Sequence, residues 1–277
     1  MIEFVKTGNY DKIINRVKRL RATIISLATF LLIILLILSI PLYIENDEGI
    51  KVDYDGIPIA VSSMLAAAVV VGAILLHSLV SIPLATALSI ECDPQKHLEL
   101  HLALDGAKKI DVSCMDGYFY LGDFKKALTC ADKVLGSNKE IRLLYGLFNK
   151  ARAEFFLGDM EAFSSTANRY RAVFHNTASI VDKSNFAYAR MEDLLEMMIA
   201  ISADDKEYIV KNYKSVKDWN NSKADEGFVN YIKGRAARIA GDNDEAIYRL
   251  MSVKDKCEKT VLYSLAQAQL DILKNNK

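Results

Sequence analysis

The stretch YLGDFKKALTC, Tyr120–Cys130, sets a glycine and an aspartate ahead of a run whose apolar and small residues fall three and four apart. The same arrangement returns in FLGDMEAFSS from Phe156 and in IAGDNDEAIYR from Ile239. Glycine lets a chain leave a helix in the left-handed conformation, and the following aspartate can accept the orphan N–H groups of the next helix. With Gly122, Gly158 and Gly241 as equivalents, Ala127, Phe163 and Ala246 each open the expected buried stripe of a following helix. The first two glycines are 36 residues apart and the third lies 83 farther on. That gap has room for one diverged helix pair around SADDKE, Ser202–Glu207.

Working outward, YGLFNKARAEFFLG, NFAYARMEDLLEMMIAI, GFVNYIKGRAARIAG and TVLYSLAQAQLDIL all carry helical periodicity, and β-type alternation never persists. The breaks between them are short and rich in Gly, Asp, Asn or Ser, as between consecutive antiparallel helices. The expected fold class is therefore all-α.

Two stretches carry no charge at all, Ala22–Ile44 and Ile57–Ile90. The first would rise about 35 Å as a helix, against a hydrocarbon core of about 30 Å. The second is longer than a span needs, and Pro83 is expected to bend or end it. The chain thus divides into a basic lead (1–21), a first transmembrane helix (22–44), a short external loop (45–56) and a second transmembrane helix (57–83). An interfacial or connecting helix (84–109) and a helical domain (110–277) follow.

Charge sets the expected orientation. Six Lys or Arg precede Ala22 against Glu3 and Asp11, whereas residues 45–56 carry five acids against Lys51 alone. Basic flanks stay in the cytoplasm, which predicts a multi-pass protein of the cell membrane with both termini cytoplasmic. The lead, with Phe4, Val5, Ile13, Ile14, Val17 and Leu20, has a partly amphipathic pattern suited to anionic lipid. Cys92, Cys114, Cys130 and Cys257 form no CxxC pair, and a disulfide role is not needed for any of them. From residue 91 onward, 28 basic groups face 28 acidic ones, which argues against binding nucleic acid by phosphate neutralisation.

In YFYLGDFKKAL, Leu121, Gly122, Phe124 and Ala127 resemble the tetratricopeptide repeat pattern. It recurs in part in ARAEFFLGDMEAF (Ala151, Gly158, Phe163) and GRAARIAGDNDEA (Gly234, Gly241, Ala246). Phe163 and Asn243 depart from the pattern, and the helix-ending proline is missing from all three copies. The resemblance implies an α-solenoid of about four helical hairpins, with a groove lined by the first helix of each. It implies Tyr145, Phe148, Arg152 and Phe155 on one unit and Phe228, Tyr231, Arg235 and Arg238 on another as residues that bind a protein or peptide partner.

Chemistry has fewer candidates. ECDPQKHLELH puts His97 and His101 four apart, with Cys92 and Asp93 upstream, a spacing compatible with zinc but without the HExxH order or a fixed third ligand. His77 interrupts the second apolar run. There is no GxGxxG, GxxxxGK[ST] or GxSxG run. The sequence is read as a non-enzymatic, cofactor-free, membrane-anchored scaffold or adaptor that binds a protein or peptide partner. A neighbouring membrane subunit touching the small residues of Ala60–Ala68 is the other expected kind of partner. The competing readings are a membrane-proximal metalloenzyme using His97 and His101, and an accessory subunit of a membrane complex.

Overall fold

The computed structural model describes residues 10–40, 42–45, 51–54, 57–104, 107–136, 139–176, 186–219 and 222–275. Residues 1–9 of the basic lead, with Phe4, Val5 and Lys6, and most of the loop 45–56 lie outside the described residues. The chain forms two compact units, Met1–Pro83 and Leu84–Lys277.

In the first unit, α1 (Asp11–Leu38) and α2 (Ile59–Val80) pack together, joined by a ribbon of β1 (Leu42–Glu45) and β2 (Lys51–Tyr54). The strands pair antiparallel, Leu42 opposite Tyr54 and Glu45 opposite Lys51. Both helices are long and apolar enough to cross a membrane, and none of their apolar windows is buried. The first helix differs from the expected span at both ends. It takes in the basic lead from Asp11, and it stops at Leu38, because Pro41 lacks an N–H and disfavours helix at the residue before it.

Polar ties mark the two ends of this helical pair. At one end Arg21 Nη2 donates to Ser81 Oγ at 2.8 Å. At the other the Ser39 and Ser62 hydroxyls meet, and the Ile57 N–H donates to the Leu38 carbonyl at 2.9 Å. The 18 or 19 residues between the ties rise about 27–29 Å on each helix, close to the thickness of a hydrocarbon core. Small residues of the Ala60–Ala68 stretch face inward: Ser62, Ser63 and Ala66 line a cleft with Leu32, Leu35 and Leu36 of α1.

The second unit is helical throughout its described residues. After α3 (Ile82–Ser89) and α4 (Pro94–Leu104) come α5 (Ala107–Leu121), α6 (Phe124–Val134), α7 (Glu140–Leu157) and α8 (Met160–Asn176). Then follow α9 (Phe186–Ser202), α10 (Lys206–Asn212), α11 (Lys223–Ile239), α12 (Asn243–Lys256) and α13 (Val261–Asn275). The unit begins well before Ile110: α4 packs on α5, and Leu98 and Leu100 are buried.

Four helix pairs turn in one way. The N–H groups of Asp123, Asp159, Asp205 and Asp242 reach back five residues to the carbonyls of Tyr118, Glu154, Ala200 and Ala237, at 2.9–3.1 Å. Each aspartate then accepts, at 3.0–3.2 Å, the N–H three residues on, from Lys126, Ala162, Tyr208 and Glu245. One residue therefore closes the outgoing helix and caps the incoming one. The diverged pair is α9–α10, where Asp204 at φ +50° stands in the position of the glycine. Five residues after each left-handed position, Ala127, Phe163, Ile209 and Ala246 are buried, as the spacing requires.

The first helices of these pairs close on one another. Phe119 of α5 lies edge-on to Phe228 of α11 at 5.6 Å, Phe148 of α7 meets Phe228 at 6.4 Å, and α13 touches α5. Between α11 and α12 the approach is close enough to need glycine, since a Cβ at Gly234 would stand 2.8 Å from Leu250.

At Gly241 (φ +82°) an added Cβ meets nothing, so Gly241→Ala carries only the left-handed backbone cost of about 1 kcal/mol. At Gly122 (φ +82°) the Cβ would also stand 2.9 Å from Val261 of α13. Thermal unfolding of the full chain is expected to rank Gly122→Ala below Gly241→Ala, and both below the parent.

Candidate functional site

Where α5, α7, α9 and α11 face one another, a cavity of about 140 Å³ remains, lined by Asp116, Tyr145, Phe148, Arg152, Arg190, Met191, Trp219 and Asp225. Three of the residues expected to line a partner-binding groove, Tyr145, Phe148 and Arg152, are among its walls. Helical spacing sets its lining on α7, since Tyr145, Phe148 and Arg152 lie three and four apart and share a face.

Arg152 is the buried centre, 1% exposed. Its guanidinium carbon lies 4.3 Å from the ring centre of Phe119, 4.9 Å from Phe148 and 5.1 Å from Phe228. Nη2 donates to Asp116 Oδ1 at 2.7 Å and to Asn149 Oδ1, and Nη1 donates to the Tyr120 hydroxyl at 3.4 Å. Tyr120 donates in turn to Asp225 Oδ1 at 2.8 Å, Ser222 donates to Asp225 Oδ2 at 2.7 Å, and Tyr145 donates to the other oxygen of Asp116. A chain of donors thus joins α5, α7 and α11 through one cation.

The electrostatics follow from this burial. Desolvation works against the Arg152 charge, but Tyr120, Asp116 and Asp225 outweigh it and raise its pKa. Burial, reinforced by Asp225 for Tyr120 and by Asp116 for Tyr145, lifts both phenols far above their ordinary range, so they remain donors. Burial and then Asp116 push the Asp225 carboxyl upward, toward its neutral form.

Trp219 precedes α11 and is held by its neighbours. Buried Lys233 donates to the Val216 carbonyl and to Asp218 Oδ1, both at 2.8 Å, and Arg249 Nη1 reaches the same Asp218 oxygen at 2.8 Å. Although burial disfavours the Asp218 carboxylate, these two cations hold its pKa below the ordinary value. The indole packs 5.8 Å from Phe148, 4% exposed, and its N–H has no acceptor; Arg152 Nε is likewise buried without one.

The eight predicted groove residues fall into two groups. Tyr145, Phe148, Arg152 and Phe228 meet at the Arg152 centre. Phe155, Tyr231 and Arg235 form a second cluster, with the guanidinium 5.3 Å from Phe155 and 5.9 Å from Tyr231, while Arg238 Nε donates to Gln269 Oε1 of α13 at 3.0 Å. Phe148, Arg152, Phe155, Phe228 and Tyr231 are buried; Tyr145, Arg235 and Arg238 keep partial exposure. Asp116, Tyr120, Arg190, Trp219 and Asp225 were not legible as site residues. Only the spacing of Asp116 and Tyr120, four apart, put polar groups on the inner face of α5.

The other candidates settle elsewhere. The rings of His97 and His101 lie 4.3 Å apart, but His97 Nε2 is 2.8 Å from the Ser113 carbonyl, and Asp93 caps α4 at Lys96 and pairs with Lys259 at 2.7 Å. Among the described residues no group of three or more His, Cys, Asp or Glu is arranged to hold a metal ion. Cys92, at φ +50°, and Cys257 are buried, the Cys257 thiol donating to the Lys223 carbonyl at 3.5 Å, and Cys114 and Cys130 are packed in the core.

Comparison with protein-family models, with curated proteins and with solved structures returns no match. The tetratricopeptide resemblance rests on the sequence pattern around Gly122, Gly158 and Gly241.

Asp116→Asn leaves the Arg152 cation without its ion partner and is expected to destabilise by about 3 kcal/mol. Adding Arg152→Met in the same chain is expected to recover part of that loss, which a double-mutant cycle of thermal unfolding checks. His97 supplies a pH dependence. Burial, then His101, keeps its pKa below the unfolded value of about 6.5. The unfolded chain therefore takes up the proton first, and the contribution of His97, complete above about pH 6.5, is lost as pH falls through the folded value. His97→Gln is expected to flatten the fall in melting temperature between about pH 7 and about pH 5.

Proposed function

We propose that the chain is a membrane-anchored adaptor whose helical domain, an α-solenoid-like array of four hairpins, captures a protein or peptide partner in the cytoplasm. The observation that carries this reading is the pair of apolar helices tied at both ends by polar contacts about one hydrocarbon thickness apart, followed by four hairpins of one turn design. The excess of Lys and Arg before Ala22 and of acids in 45–56 supports cytoplasmic termini on both sides of the anchor. Anchoring confines the domain to the bilayer surface and raises the effective concentration of a partner there.

Burial narrows the contact surface. Phe148, Arg152, Phe155, Phe228 and Tyr231 are committed to the core, so the partner meets the half-exposed edge carrying Arg235 and Arg238. Guanidinium forks suit carboxylates on the partner, and Tyr231 and Phe155 behind Arg235 stiffen it. Full-length protein is expected to resist alkaline extraction from membranes and to co-purify in mild detergent with one stoichiometric partner. That partner should be lost from an Arg235→Gln, Arg238→Gln variant of unchanged melting temperature. Its retention would remove the arginine edge from the reading.

A further inference from the structure

We infer that the cavity between α5, α7, α9 and α11 is a binding site for a small carboxylate whose apolar body is about the size of one aromatic ring. The unmet groups are donors: Arg152 Nε and the Trp219 indole N–H are buried with no acceptor. The acceptors are already used, since each oxygen of Asp116 and Asp225 receives a hydrogen bond from Arg152, Tyr145, Tyr120 or Ser222. A ligand that completes the site must therefore accept rather than donate, because a buried donor left unmade costs its full desolvation.

Size and charge narrow the class. The volume, about 140 Å³, is close to the roughly 150 Å³ of an apolar cavity that holds benzene. Phe148, Met191 and the Trp219 ring supply apolar walls, and Arg152 and Arg190 supply two guanidinium groups against two carboxyls. A carboxylate brings two acceptor oxygens for the two unmet donors and pairs with a guanidinium, which a neutral guest of the same size does not. Access is available as well. Asp116, Tyr145, Arg190 and Asp225 are half-exposed at the rim, while Phe148, Arg152 and Trp219 form the floor.

Trp219 is the sole tryptophan of the chain, so its fluorescence reports this wall alone. Full-length protein in mild detergent is titrated with sodium benzoate, sodium isovalerate and, as a neutral probe, benzyl alcohol. At least one carboxylate is expected to change Trp219 emission saturably and raise the melting temperature, with benzyl alcohol binding at least about tenfold more weakly. Arg190→Gln is expected to weaken the carboxylate by about tenfold while the affinity for benzyl alcohol changes little. The inference fails if neither carboxylate gives a saturable change, if benzyl alcohol binds as tightly, or if Arg190→Gln binds unchanged.

Discussion

A guanidinium buried among aromatic rings constrains everything around it. With almost no exposed surface, Arg152 draws its hydrogen bonds and its counter-charge from protein groups on several elements: Asp116 and Tyr120 on α5, Asn149 on α7 itself, and Asp225 beyond Tyr120 on α11. Apolar side chains would fill the same space with less electrostatic demand, since hydrophobic replacements of buried ion pairs often leave stability unchanged. What they would not do is distinguish one packing of α5, α7 and α11 from a neighbouring one. A directional cation with a fixed set of acceptors does, which gives the domain a defined register at its centre.

The turn chemistry was the most legible part of the sequence because it is local. A glycine followed by aspartate dictates its own backbone geometry, and the pattern located three of the four hairpins; even SADDKE gave up the fourth, with Asp204 and Asp205 in the roles of Gly and Asp. The apolar helical pair was legible for a similar reason, except at its edge, where Pro41 ended α1 earlier than the run of uncharged residues suggested. The closure of the first helices was not legible. Whether a row of inner residues faces an open groove or packs against the next row depends on how far the array curves. That is a sum over many interfaces, and no single residue reports it. Phe148 and Phe228 look the same in sequence in either case.

The same reasoning explains why the cavity partners were hidden. Trp219 lies in a segment whose path is set by Lys233 and Arg249 reaching it from α11 and α12, contacts that span from 15 to 31 residues. Asp225 reads as an ordinary acid in the first turn of α11 behind the Ser222 cap, and its role depends on Tyr120, more than a hundred residues earlier. Long-range polar pairs leave no periodic trace, unlike apolar stripes.

The contact of α13 with α5, together with the Lys259–Asp93 ion pair, has a consequence for synthesis. The apolar helical pair is complete within the first third of the chain, but the segment that packs on the first hairpin of the second unit is made after everything it touches. The side of α5 that α13 covers therefore stays open until α13 is made. The hairpins lock together when α13 arrives instead of setting one by one as they emerge.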